Sequence, residues 1–162
     1  MPGDAGPELT RTLADATEQL KAALAELRQL ARGIHPAILA EAGLLAALKS
    51  LAGESPVPVA LQVDLSGRLP EPVEAAVYFV VSEALANVAK YAGADQVEVS
   101  VGIEGEQLRV RIADDGRGGA DPMSGSGLRG LADRVAALGG HLDVRSPVGA
   151  GTQVVATLPI AQ

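Results

Sequence analysis

Two alternating apolar runs bound what this chain can fold into. Val97, Val99, Val101 and Ile103 are separated by polar residues, and Leu108, Val110 and Ile112 repeat the pattern beyond Gly105. Period-two alternation buries one face of a strand, and a glycine between two such runs marks a hairpin. The sequence therefore commits to an antiparallel pair with one face on a core. The second run leads straight into Asp114-Asp115-Gly116-Arg117-Gly118. That places a carboxylate at a strand's inner end, beside a glycine-rich loop.

The other elements follow from the same signals. Pro70-Glu71-Pro72 starts a helix that runs to about Tyr91, and Val59 to Leu65 alternates as a strand ahead of it. A helix after Ser126 runs to about Leu138 and is closed by Gly139-Gly140. Leu142 to Arg145 and Gln153 to Leu158 form a last strand pair around Gly149-Ala150-Gly151. The expected fold class is α+β: a two-layer sandwich with a mixed, mostly antiparallel five-stranded sheet and helices on one face. A shorter helix is expected from about Leu44 to Ala52, with a breaker cluster from Gly53 to Pro58.

Ahead of these, Leu13, Leu20, Leu27 and Ile34 recur every seven residues, with Leu24 and Ala31 filling the same stripe. This predicts a long N-terminal helix of roughly 40 Å. Such a seam lies on the domain's own core or on a partner helix, and the strict heptad favours a dimerisation bundle. His35-Pro36 ends it, because proline disfavours helical geometry in the residue before it.

Composition narrows the function. The 162 residues are 48% hydrophobic with only 2% aromatics, so aliphatic side chains must fill the core of one domain. Cysteine is absent and there are two histidines, which argues against disulfides, thiolate sites and zinc. A net charge of -7 without a basic stripe argues against nucleic acid. No signal peptide and no bilayer-spanning apolar run are read, so a soluble, cytoplasmic fragment without direct membrane contact is expected.

The candidate chemistry lies in four places. Glu83, Asn87 and Lys90 fall at i, i+4 and i+7 of one helix and so share a face. An amide oxygen is a good hard ligand for magnesium, a nearby carboxylate can hold a metal-bound water, and a lysine offers charge to phosphate. Read as ordinary surface, the same face is simply solvated. Asp114 could accept from an adenine amino group, with Gly116 and Gly118 leaving room for the base, whereas Asp115 suits the plain turn role. Gly125, Gly127 and Gly130 open a helix whose N-terminal amides could meet phosphate, with Arg129 and Arg134 within reach. Gly149-Ala150-Gly151-Thr152 is a hairpin turn that could bring Thr152 to a base. The Gly125-x-Gly127-x-x-Gly130 spacing also fits the dinucleotide fingerprint, but that motif must follow a strand directly and here a loop precedes it.

Together these segments resemble the ATP-binding domain of sensor histidine kinases, in a superfamily shared with gyrase, MutL and a heat-shock chaperone. Glu83-Ala84-Leu85-Ala86-Asn87-Val88-Ala89-Lys90-Tyr91 looks like the family's asparagine box. Asp114-x-Gly116-x-Gly118 and Gly125-x-Gly127-Leu128 look like its two glycine boxes, and Gly149-Ala150-Gly151-Thr152 like its closing box. Four boxes in order are a far stronger signal than any one. Leu27 to Pro36, followed by Gly43-Leu44, is similar to the kinases that pair with LuxR-type response regulators.

The resemblance implies roles. Asn87 would coordinate magnesium and Glu83 would hold a metal-bound water and assist proton transfer. Asp114 would recognise adenine with Thr152 in support. Lys90, Tyr91, Leu128 and Arg129 would line the ATP site, and Gly125 to Gly130 would close over the phosphates. The family usually carries His where this chain has Tyr91. The implied activity is transfer of the ATP γ-phosphoryl to a histidine and thence to a response regulator, in a protein that is a homodimer at full length. Residues 1–36 would be the end of the dimerisation and phosphotransfer domain, 37–58 a connecting helix and linker, and 59–162 the catalytic domain. The acceptor histidine is expected upstream, in a longer kinase, so this fragment is expected to bind ATP without phosphorylating itself. An anti-sigma factor serine kinase of the same superfamily, phosphorylating a partner's serine, and a non-catalytic interaction module are the alternatives.

Overall fold

A computed structural model describes residues 37–120 and 126–160. The expected N-terminal heptad helix, Gly125 and the side chain of Ser126 lie outside the described residues.

The elements run α1 (Ala37–Glu54), β1 (Val59–Asp64), α2 (Glu71–Asn87), a π turn (Val88–Ala92), β2 (Val97–Glu104), β3 (Gln107–Asp114), α3 (Ser126–Ala136), β4 (His141–Arg145) and β5 (Thr152–Pro159). The five strands form one sheet in the order β1-β2-β3-β5-β4. β1 pairs parallel with β2, and the other neighbours are antiparallel. The expected mixed, mostly antiparallel sheet is thus observed.

Alternation decides the layers. Val97, Val99 and Val101 on β2, Leu108, Val110 and Ile112 on β3, and Val154, Ala156 and Leu158 on β5 are all buried. They meet Val73, Val77, Val80, Val81 and Leu85 from α2 and Leu131 and Val135 from α3 in one core. The other sheet face carries exposed pairs such as Arg109–Glu104 and Arg111–Glu98, which add little stability at such exposure. α3 ends as expected: Gly139 has φ 72, and the Gly140 N–H reaches back to the Val135 carbonyl at 3.0 Å. This is the glycine-closed helix end in which the last carbonyls find donors.

Three expectations are corrected. The short helix begins at Ala37 rather than near Leu44, with Gly43 at φ 82 making a kink inside it. Leu39 ahead of the kink is fully buried, which local patterning did not reveal. The helix from Pro70 does not stay α-helical to Tyr91 but opens into the π turn at Val88. The third concerns membrane spans: residues 71–92 form a helical stretch long and apolar enough to cross a bilayer by length and composition. Most of its apolar side chains lie in the core just described.

α1 is tied to α2 by a charge clamp. Glu74, the buried acid of the described residues, accepts Arg68 Nε at 2.9 Å, an Arg68 terminal nitrogen at 2.8 Å and the Leu69 N–H at 3.1 Å. Arg68 also donates to the Leu39 carbonyl at 3.3 Å, and its stem lies against Gly43, where a Cβ would be only 3.3 Å from Arg68 Cδ. The hydrogen bond and charge of Glu74 raise the Arg68 pKa further. A buried carboxylate needs such partners. Integration of α1 predicts a contrast. Leu48→Ala, at a buried site, should cost about 3 kcal/mol. Leu45→Ala, at a side chain 46% exposed, should stay within about 0.5 kcal/mol of wild type in the same denaturant titration.

Candidate functional site

The core row of β3 runs out in a carboxylate. Asp114 has the parity of Leu108, Val110 and Ile112, so it shares their face. Its cross-strand partners are Val97 on β2 and Thr152 on β5. Directly opposed residues hold their Cβ atoms about 4.5–5.5 Å apart, so the Asp114 and Thr152 side chains stand side by side at one end of the helix-covered face. Asp114 is partly buried. Its Oδ1 accepts the Gly116 N–H at 2.9 Å, which fixes the carboxylate's rotation. Asp115 points the other way and does something different. Its Oδ1 accepts the N–H groups of Asp95 at 2.9 Å and Gln96 at 3.1 Å, pinning the loop to the entrance of β2.

The glycines after Asp114 permit close approach, and what approaches is the protein itself. Gly116 is buried, and a Cβ there would meet the Ala92 carbonyl and Cβ. The Arg117 N–H donates to that same carbonyl at 2.9 Å, stitching the loop to the end of the π turn. Gly118, at φ 61, leaves space filled by the Pro147 and Gly151 carbonyls. Gly151, at φ 71, lies against the Asp114 carbonyl. These residues hold the Asp114 strand end, the following loop and the β4–β5 turn together.

Glu83 and Asn87 occupy the last turns of α2, four residues apart and both partly buried. The π turn then changes the register. Lys90 and Tyr91 lie in it, wound more widely than the α-helix that holds Glu83 and Asn87. Lys90 is exposed, and Tyr91 is 61% exposed. Single π turns inside helices are frequent at functional sites.

Glu83 and Gly127 are brought into contact. Glu83 Oε1 occupies the place where a Cβ on Gly127 would sit, so only glycine admits the carboxylate to the first turn of α3. An acidic group is favoured at a helix start by the helix dipole. Leu128 packs against the core, while Arg129 and Gly130 are exposed on the same helix. Arg134 lies over the Phe79 ring, 4.4 Å from its centroid, so its charge is engaged away from the helix start. Sequence reasoning missed Ser146. Its Oγ lies 2.8 Å from Thr152 Oγ1 and accepts the Ala120 N–H at 2.9 Å. A serine ahead of a proline at a strand end carries no local signal of this.

The donors fit a nucleotide with a metal ion. Among the described residues, no group of three or more His, Asp or Glu side chains could hold an ion by itself. Magnesium seldom uses such a cage; it keeps waters and takes one or two protein oxygens together with phosphate oxygens. Glu83 and Asn87, four residues apart on α2, are side chains with oxygens of that kind.

Residues 73–162 match the family described as histidine kinase-, DNA gyrase B- and HSP90-like ATPase. The chain is 31% identical over 161 residues to the signal transduction histidine-protein kinase/phosphatase DegS of Brevibacillus brevis, covering 94% of this chain and 42% of that protein. It is 33% identical over 141 residues to the sensor histidine kinase LiaS of Bacillus subtilis, covering 83% and 39% respectively. The chain thus spans about two fifths of the length of these relatives. Among solved structures, the histidine kinase domain of the blue-light activated kinase of Erythrobacter litoralis matches with a TM-score of 0.60 and 28% identity, over 74% of this chain and 60% of that one.

Proposed function

The chain belongs to the histidine kinase-, DNA gyrase B- and HSP90-like ATPase family, and from that membership we propose that it is the ATP-binding catalytic part of a two-component sensor histidine kinase. The pairing of Asp114 with Thr152 at the end of the core row carries this reading. It sets an acceptor and a hydroxyl side by side where a purine edge can meet both. Asp114 accepts the adenine amino group. Thr152 holds the neighbouring ring atom or an ordered water. Asn87 supplies an amide oxygen to magnesium, and Glu83 holds a water on the same ion; bound there, the metal would neutralise charge on the phosphates. Lys90, Tyr91, Leu128 and Arg129 line the phosphate side, and residues 125–130 offer amides to phosphate. With a net charge of -7, such local donors must do the binding.

In the reaction, a nitrogen of the acceptor imidazole forms a bond to the γ-phosphorus while the bond from that phosphorus to the β–γ bridging oxygen breaks. ADP leaves with the electron pair. The attacking nitrogen uses its free lone pair, and Glu83 takes the proton from the other ring nitrogen. The histidine then passes its phosphoryl group to an aspartate of a response regulator. We assign that regulator to the LuxR type, on the likeness of residues 27–36 and 43–44 to such kinases, and place residues 1–36 in the dimerisation and phosphotransfer domain, 37–58 as connecting helix and linker, and 59–162 as the catalytic domain of a homodimer.

Incubation with γ-labelled ATP, magnesium and a fragment bearing an acceptor-histidine helix tests the assignment. Label on the fragment that is lost in acid and kept in alkali is expected. Acid-stable label on a serine would replace the reading with that of a serine kinase. Asn87→Ala should abolish the magnesium-dependent gain in ATP affinity, seen by calorimetry, while magnesium-free binding persists.

A further inference from the structure

Ser146 joins three parts of the site at once. Its Oγ accepts the Ala120 N–H at 2.9 Å. Its carbonyl accepts the Gly119 N–H at 2.9 Å. The same Oγ shares a hydrogen with Thr152 Oγ1 at 2.8 Å. The Gly149 N–H donates to the Arg117 carbonyl, so residues 117–120 and the β4–β5 turn are clasped along their length.

The direction of that shared hydrogen matters. A hydroxyl has one hydrogen to give and two lone pairs. One lone pair of Ser146 is taken by Ala120. Thr152, in turn, stands beside the Asp114 carboxylate, an acceptor without hydrogens when ionised. Of the two directions open to that hydrogen, the one in which Ser146 donates leaves the Thr152 O–H available to a base: Ala120 N–H to Ser146, Ser146 O–H to Thr152, and the Thr152 O–H outward on the Asp114 side. Hydrogen bonds in such a chain polarise one another, which strengthens the terminal donor.

We propose that Ser146 is a positioning residue that determines base specificity, by holding Thr152 as a donor beside the acceptor Asp114. This rests on the nucleotide reading of the site. An acceptor next to a donor matches a 6-aminopurine, which presents an amino hydrogen next to a bare ring nitrogen. A 6-oxopurine presents the reverse, an oxygen next to a ring N–H, and is refused. Without Ser146, the Thr152 hydroxyl rotates freely and offers either a hydrogen or a lone pair, so discrimination falls.

The test compares ATP with inosine triphosphate, alike except at this edge. Ser146→Thr and Ser146→Val have nearly the same shape and differ in one hydroxyl. The wild type and Ser146→Thr should share one ratio of ATP to inosine triphosphate affinity. Ser146→Val should lower that ratio about five- to tenfold, mainly through weaker ATP binding. A far-ultraviolet circular dichroism spectrum matching the wild type shows that the variant is folded. A purely structural role would weaken both nucleotides equally, or lower the thermal midpoint with the ratio unchanged, and either result overturns the proposal. If the wild type binds ATP and the ratio holds in Ser146→Val, only the Ser146 assignment fails. If the wild type binds neither nucleotide, the nucleotide reading fails with it.

Discussion

Asp114→Asn is expected to weaken ATP binding by about 100-fold, while the protein melts close to the wild type. The two halves of that result have separate causes. The carboxylate's Oδ1 accepts the Gly116 N–H at 2.9 Å, and an asparagine amide oxygen can do the same, so the loop keeps its anchor. The amide's other end then turns an NH2 group toward the base where an oxygen stood. A donor faces the adenine amino donor, and a hydrogen bond to a charged acceptor, worth about 1.5–3 kcal/mol, becomes a repulsion. Binding within threefold of wild type would remove Asp114 from base recognition.

Gly151→Ala should be the most damaging single methyl in the site. Gly151 has φ 71, and a Cβ there would run into the Asp114 carbonyl and approach Asp115 Cα at 3.3 Å. Left-handed geometry alone costs a non-glycine residue about 1–2 kcal/mol. The backbone collision adds to it, because neither strand end can yield without opening the β3–β5 pairing. The expected loss is about 3–5 kcal/mol. Gly149→Ala is the control. Its φ of 81 imposes the same conformational strain, yet nothing lies within 4 Å of its Cβ position, so its loss should be about 1–2 kcal/mol. Equal losses at the two glycines, in matched denaturant titrations, would mean that contact with Asp114 does not matter. Because Gly151 directly precedes Thr152, its alanine variant should also weaken ATP binding more than Gly149→Ala does.

What the sequence revealed was what local patterning encodes. The hairpin around Gly105, the Gly139 helix end and the placing of Asp114 on the buried face follow from alternation and turn chemistry. Contacts between distant segments were not legible. Leu39 joins the core and its carbonyl accepts from the Arg68 that pairs with Glu74, and no spacing of apolar residues announces that. Gly116 and Gly118 read as room for a ligand, whereas Ala92 and the β4–β5 turn fill the places their side chains would take. The contact of Glu83 with Gly127 joins two motifs that the sequence shows only as separate boxes. The π turn at Val88–Ala92, whose last carbonyl accepts the Arg117 N–H, has no signature in the apolar spacing either.

Calorimetric titration of the wild-type protein with ATP, with and without magnesium, decides whether the cleft beside Asp114 is a nucleotide site. Saturable one-to-one binding with a Kd on the order of micromolar, tightened by magnesium and competed by ADP, is expected. Absence of binding at millimolar ATP in a protein shown to be folded would contradict it, and with it the roles given to Asp114, Asn87 and Glu83.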